Sequence, residues 1–131
     1  MTFVKNSATF LNVPPSNFLS RQKCLPCEGG VKPLSAKEVK GYLKTLPGWR
    51  LGRGGREIET EYQMKNFMAA IRVIQKIAGI AEKEDHHPDL HLTGYRCLKI
   101  HLSTHAIRGL SLNDFILATK IRKLMDRYGK K

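Results

Sequence analysis

The stretch Glu82-Lys-Glu-Asp-His-His-Pro-Asp-Leu90 lies where one periodicity gives way to another. Before it, Phe67, Ile71, Ile74, Ala78 and Ala81 recur at helical spacing. After it, Leu90-His-Leu-Thr-Gly-Tyr95 and Leu98-Lys-Ile-His-Leu-Ser103 alternate with a period of two. A residue that precedes proline is pushed out of the α region, so Pro88 predicts a helix stop at about His87. His86 and His87 then stand at a helix C-terminus just ahead of a strand. Imidazole is the side chain that ordinarily titrates nearest neutrality, and a helix C-terminus favours its cation. Two histidines there point to proton transfer; the plainer reading is a helix stop at the surface.

Working outward toward the C-terminus, the two alternating runs predict a hairpin. Leu98, Ile100 and Leu102 take one face, Lys99, His101 and Ser103 the other. By the same parity His91 and His101 belong to the polar face and are expected to be solvated. Thr104-His105 follows directly, and Gly109-Leu-Ser111 leads into a last helix over about 112–127 with the stripe Leu117, Ile121, Leu124 and Tyr128. Ser111 and Asp114 have the form of a capping pair at its start.

Toward the N-terminus, Asn66 is the expected N-cap of the helix that carries the histidines. Trp49-Arg-Leu51 and Glu57-Ile-Glu-Thr-Glu-Tyr62 flank Gly52-Arg-Gly-Gly55 and predict a first hairpin. That glycine cluster is no phosphate loop, because no helix opens after it and the Lys-Ser/Thr pair is missing. Ser35-Ala-Lys-Glu38 is a capping box opening a helix over about 36–46, with Val39, Leu43 and Leu46 on one side and Pro47-Gly48 at its end. The order α-β-β-α-β-β-α predicts an α+β domain over residues 35–131, a four-stranded antiparallel sheet with three helices on one face. Residues 1–34, rich in Pro, Gly, Ser and Asn, read as an extended, partly disordered arm. Up to Cys27 the arm has Lys5, Arg21 and Lys23 but no acid, which suits an organelle transit peptide and equally a bacterial extension.

Composition narrows the function classes. At 131 residues the chain is one domain, and no apolar run is long enough to cross a bilayer. The net charge of +12 attracts anions, but the basic residues are scattered, apart from Lys120, Arg122, Lys123, Arg127, Lys130 and Lys131. No arginine tract, RNA-binding pattern with aromatics or paired Cys/His finger accompanies them, so nucleic acid is not the expected partner. Three cysteines do not make a disulfide framework. Cys24-Leu-Pro-Cys27 is half of a zinc site without a second pair, and a reduced loop without metal is expected; Cys97 is expected to pack as a small apolar group.

Glu82, His86-His87-Pro88, Tyr95, His105 and Asp114 fall in an order and spacing that resemble the signature of pterin-4a-carbinolamine dehydratases. Ala81-Glu-Lys, Leu102-Ser-Thr-His105 and Gly109-Leu-Ser111 match as well, so the likeness runs from about Leu34 to Arg127. A bacterial and plant-organelle subset is more similar still. Its arm carries a Cys-x-x-Cys followed by Glu-Gly-Gly, as Cys24–Gly30 does here, and His86–Leu92, Thr104–Ile107 and Asn113–Ile116 repeat its words.

The resemblance implies dehydration of 4a-hydroxytetrahydropterin to quinonoid dihydropterin and water, in tetrahydrobiopterin recycling, with no metal, nucleotide or redox cofactor. It implies His86 and His105 as the acid/base pair, with His87 binding and orienting the pterin or sharing the proton transfer. Glu82, one helical turn before His86, would orient an imidazole; Asp114 would do so for His105, or bind the pterin. Asp85, Ser103 and Thr104 occupy pocket positions, and Trp49 matches a tryptophan near the pocket or serves as a core aromatic. Family members are homodimers or homotetramers, and some act instead as protein-binding or assembly factors. A cytoplasmic location is expected, or a mitochondrial or chloroplast one if the arm is a targeting segment. Two departures stand out: Ala106 replaces a glutamate of the animal members, and the segment between the histidine pair and His105 is one residue longer.

Overall fold

The computed structural model describes Leu19, Arg21 and residues 32–128. Within residues 32–128, three helices and a four-stranded antiparallel sheet form the predicted α+β arrangement. In chain order these are α1 (Ala36–Leu43), β1 (Arg50–Leu51), a 3-10 turn (Arg53–Gly55), β2 (Ile58–Gln63), α2 (Phe67–Glu84), β3 (Asp89–Thr93), β4 (Cys97–Leu102), a second 3-10 turn (His105–Ile107) and α3 (Leu112–Tyr128). The sheet order is β1-β2-β4-β3, with β4 paired to both β2 and β3.

The sheet follows from alternation. Ile58, Leu98, Ile100 and Leu102 point inward and are at most 1 % exposed, while Glu57, Glu59, Lys99 and His101 point away from the core. Each inward aliphatic contributes about 1.5–3 kcal/mol by leaving water, so a one-residue register slip is strongly disfavoured. Against this face pack Val73 and Ile77 of α2, Phe115, Leu117 and Ile121 of α3, and Leu46 and Trp49 after α1.

Helix boundaries depart from expectation in instructive ways. The capping box at Ser35 and Glu38 is present, but α1 ends at Leu43 rather than Leu46. Thr45 and Leu46 donate to carbonyls three residues back, so the last turn tightens before Pro47. Asn66 caps α2 as predicted, its Oδ1 accepting from the Ala69 amide at 2.8 Å. The buried stripe of α2 is Ala70, Val73, Ile77 and Ala81, whereas Phe67 is 49 % exposed. In α3, Asn113 to Thr119 are buried consecutively, because that half is covered on every side; Tyr42 stacks on Phe115 at 5.1 Å. Tyr128, expected in the stripe, is exposed beside Lys76.

Cys97 does not pack as an apolar group. It occupies the outward register next to Leu98, and its thiol donates to Glu61 Oε2 at 3.2 Å. That hydrogen bond, ahead of the nearby Lys99 charge, holds the Glu61 carboxyl below its ordinary range. The expectations for Cys24, Cys27 and nearly all of the arm lie outside the described residues. Of the arm, Leu19, Arg21 and residues 32–34 are described, and Leu19 is fully buried in the core cluster.

Candidate active site

The chain reversal that delivers the histidines comes from Asp85. Asp85 adopts a left-handed conformation (φ 54°, ψ 40°), and its amide donates to Glu82 O at 3.3 Å while the His86 amide donates to Ala81 O at 3.2 Å. These two bonds form a Schellman cap, a motif that ordinarily uses glycine at the left-handed position. The helix therefore stops at Glu84, before the proline acts, and His86 is swung off the helix axis. Asp85, read in sequence as a pocket residue, serves as the helix stop.

His86 lands against α3. Its Nε2–H donates to Asp114 Oδ1 at 2.7 Å, with the histidine side chain 11 % exposed and the carboxylate fully buried. Asp114 Oδ2 accepts from Thr104 Oγ1 at 2.7 Å and from the Ser111 amide at 3.0 Å. Thr104 Oγ1 also lies 2.8 Å from Ser111 Oγ. One buried carboxylate thus caps α3, anchors the segment leading to His105 and fixes the His86 ring. The capping role of Asp114 is as predicted; its imidazole partner is His86 rather than His105.

Glu82 takes the other adjacent histidine. Its Oε2 accepts from His87 Nε2–H at 2.6 Å, and both side chains are exposed. Glu82 does orient an imidazole, but the chain reversal at Asp85 makes that imidazole His87 and not His86. Exposed pairs of this kind add at most about 1 kcal/mol to stability, so the pair matters for orientation.

His105 opens the second 3-10 turn, in a loop closed at its base. Thr104 and Gly109 form an antiparallel bridge, and the Arg108 amide donates to His105 O at 3.1 Å with Arg108 left-handed at φ 52°. A side chain on Gly109 would meet Pro33 at 2.9 Å, so glycine is what lets the loop lie against the N-terminal strap. His105 is exposed and lines a hollow of about 210 Å³ with Arg56, Ser103, Thr104, Arg108 and Gly109. Sequence reading missed the two arginines; only Arg108, inside the matched loop, gave any signal. Trp49 is buried among core residues at 6 % exposure. Thr104 is buried and Ser103 half-buried.

The histidines are thus held in different ways. His86 has one nitrogen committed to a buried carboxylate, which leaves Nδ1 for a ligand. His87 has an exposed carboxylate partner. His105 sits on a short loop tied through Thr104 to the same Asp114. The hollow lined by His105 includes neither His86 nor His87; what joins His86 to the His105 loop is the Asp114–Thr104 hydrogen bond.

The fold is that of a small α+β domain in which a buried carboxylate ties His86 to the threonine that precedes His105. The chain belongs to the pterin 4 alpha carbinolamine dehydratase family, whose model matches residues 32–124. A Dechloromonas aromatica protein provisionally named pterin-4-alpha-carbinolamine dehydratase is 41 % identical over 82 % of this chain and 94 % of its own length. The mitochondrial pterin-4-alpha-carbinolamine dehydratase 2 of Arabidopsis thaliana is 39 % identical over 81 % of this chain and 58 % of its own. Among solved structures, a Brucella melitensis protein described as a transcriptional coactivator/pterin dehydratase superposes with a TM-score of 0.67 at 29 % identity, covering 71 % of this chain and 98 % of that one.

Proposed function

We propose that the chain dehydrates 4a-hydroxytetrahydropterin by histidine acid/base catalysis. The C4a–O bond breaks as the hydroxyl accepts a proton and leaves as water. The neighbouring ring nitrogen gives up its proton, and its electron pair closes the C4a–N double bond of the quinonoid product. One acid and one base suffice, each contributing typically about 10²–10⁴-fold. The observation that carries this reading is the Asp114 carboxylate, bound to His86 on one oxygen and to Thr104, next to His105, on the other.

In this reading His86 and His105 exchange the two protons. His87, oriented by Glu82, holds the pterin, and Ser103 with Thr104 frames the hollow beside His105. Arg56 and Arg108 favour the electron-rich carbonyl edge of the heterocycle there. The substrate is a small-molecule pterin of the tetrahydrobiopterin cycle, and the chain works as a homodimer or homotetramer, in the cytoplasm or in an organelle. Turnover of a synthetic 4a-hydroxytetrahydropterin above the uncatalysed rate tests the reading; a rate equal to buffer would reject it.

A second reading draws on the coactivator description of the Brucella neighbour: a protein-binding or assembly factor on the same fold. It predicts recovery of a stoichiometric protein partner together with no pterin turnover. The hydrogen-bonded histidine set favours the enzyme.

A further inference from the structure

The polar face of the sheet carries a second cluster of ligating side chains that the dehydration chemistry does not use. Glu59 of β2, His101 of β4 and Asp89 of β3 are consecutive cross-strand neighbours. Glu57 enters from the turn before β2, its Oε2 2.8 Å from His101 Nδ1, and Glu59 Oε1 lies 3.5 Å from the same nitrogen. Among the described residues this is the one group of three histidine, cysteine or acidic side chains whose ligand atoms all lie within 4.8 Å of one another. The ring of His91 stands edge-on to that of His101, centroids 5.3 Å apart, and lines the same hollow. His101 is therefore not simply solvated; its side chain is 25 % exposed and wedged between carboxylates.

Gly52 supplies an independent observation. Its backbone (φ −94°, ψ −161°) is open to any residue, so conformation does not require glycine there. A β-carbon would lie 2.7 Å from Glu57 Cγ, 2.8 Å from Glu57 Oε2 and 2.9 Å from Glu59 Oε1. The missing side chain is the space into which two carboxylates converge. Like charges brought together cost energy unless a cation lies between them. Arg50 holds only the far oxygen of Glu59, with Nε and Nη2 each 2.9 Å from Oε2, and leaves Oε1 turned toward His101.

We propose that Glu57, Glu59 and His101 bind a divalent transition-metal ion of the zinc type, with Asp89 and His91, which line the same hollow, as candidates for a fourth ligand. Zinc takes imidazole nitrogen and carboxylate oxygen at about 2.0–2.2 Å, which puts neighbouring ligand atoms of a tetrahedron about 3.4 Å apart. The separations of 2.8 and 3.5 Å bracket that spacing. A nitrogen donor with so few oxygens disfavours calcium and magnesium, which seek six or more oxygen ligands. Arg53 and Lys99, which line the hollows around these ligands, oppose a cation and keep the affinity modest.

Calorimetric titration of the untagged full chain with Zn²⁺ tests the site, alongside His101→Ala, Gly52→Ala and a Cys24→Ser/Cys27→Ser variant. One equivalent is expected to bind, with affinity falling at least about tenfold in His101→Ala. Gly52→Ala should fall as far although it removes no ligand, and the cysteine variant should bind unchanged. His101→Gln replaces Gly52→Ala if the latter does not fold. No saturable binding below about 1 mM, or binding that survives both His101 and Gly52 substitution, overturns the proposal. So does binding lost only in the cysteine variant. Pterin turnover by metal-free wild-type chain, measured in parallel, stands or falls separately.

Discussion

His86 Nε2 lies 2.7 Å from Asp114 Oδ1, although the two residues are 28 positions apart and Asp114 is wholly buried. That contact joins the end of α2 to the first turn of α3 and commits the Nε2 of His86 to the carboxylate. Replacing Asp114 with Asn keeps the volume but brings an N–H₂ group among three donors. Turnover is expected to fall by about 10²-fold or more and stability by about 1–3 kcal/mol. Steady-state kinetics and urea unfolding check both; unchanged turnover would remove Asp114 from the site.

Thr104 provides a graded comparison. Thr104→Val keeps the shape but loses the bonds to Asp114 Oδ2 and Ser111 Oγ. Thermal unfolding is expected to show a loss of about 1–3 kcal/mol, with a smaller kinetic effect than removing His86. Wild-type stability would mean that the buried hydroxyl network is not formed.

Asp85 tests the helix stop. Glycine reaches a left-handed φ without penalty, whereas a β-branched residue is strained there. Asp85→Gly is expected to preserve or raise stability, and Asp85→Val to lower it by about 1–3 kcal/mol. Chemical denaturation of the two variants decides, and the reverse order would contradict the Schellman cap.

Burial holds the Tyr62 phenol above its ordinary range, against smaller opposing contributions from Thr60, Trp49 and Arg122. A raised folded-state pKa means that folding favours the neutral phenol. Its contribution is complete below the unfolded value of about 10 and is lost as pH climbs through the folded value. Stability should therefore decline above about pH 10, and Tyr62→Phe should make that decline shallower. Identical pH–stability slopes in the two proteins would refute it.

Much of this architecture is written locally. The alternation of Leu98, Ile100 and Leu102 needs only the two-residue period of a strand, and the caps at Ser35, Asn66 and Ser111 need only neighbouring residues. The phase of α2 was not legible, because Phe67, Met68, Ile71 and Ile74 make more than one side of the helix apolar and periodicity alone favours the bulkier stripe. The core instead takes Ala70, Val73, Ile77 and Ala81, the side that fits closely under α3 and the sheet. The candidate residues could be named from sequence, but their pairing could not. Glu82 is one turn from His86 on an ideal helix, yet the left-handed Asp85 hands it His87. The His86–Asp114 contact depends on how two helices dock, which no local pattern encodes.

The most direct test is single-turnover dehydration of a synthetic 4a-hydroxytetrahydropterin by wild type, His86→Ala and His105→Ala, with circular dichroism confirming the fold. Catalysis by the wild type and a loss of about 10²–10⁴-fold in each variant is the predicted result. Wild-type rates in either folded variant would contradict the acid and base roles proposed for these two imidazoles.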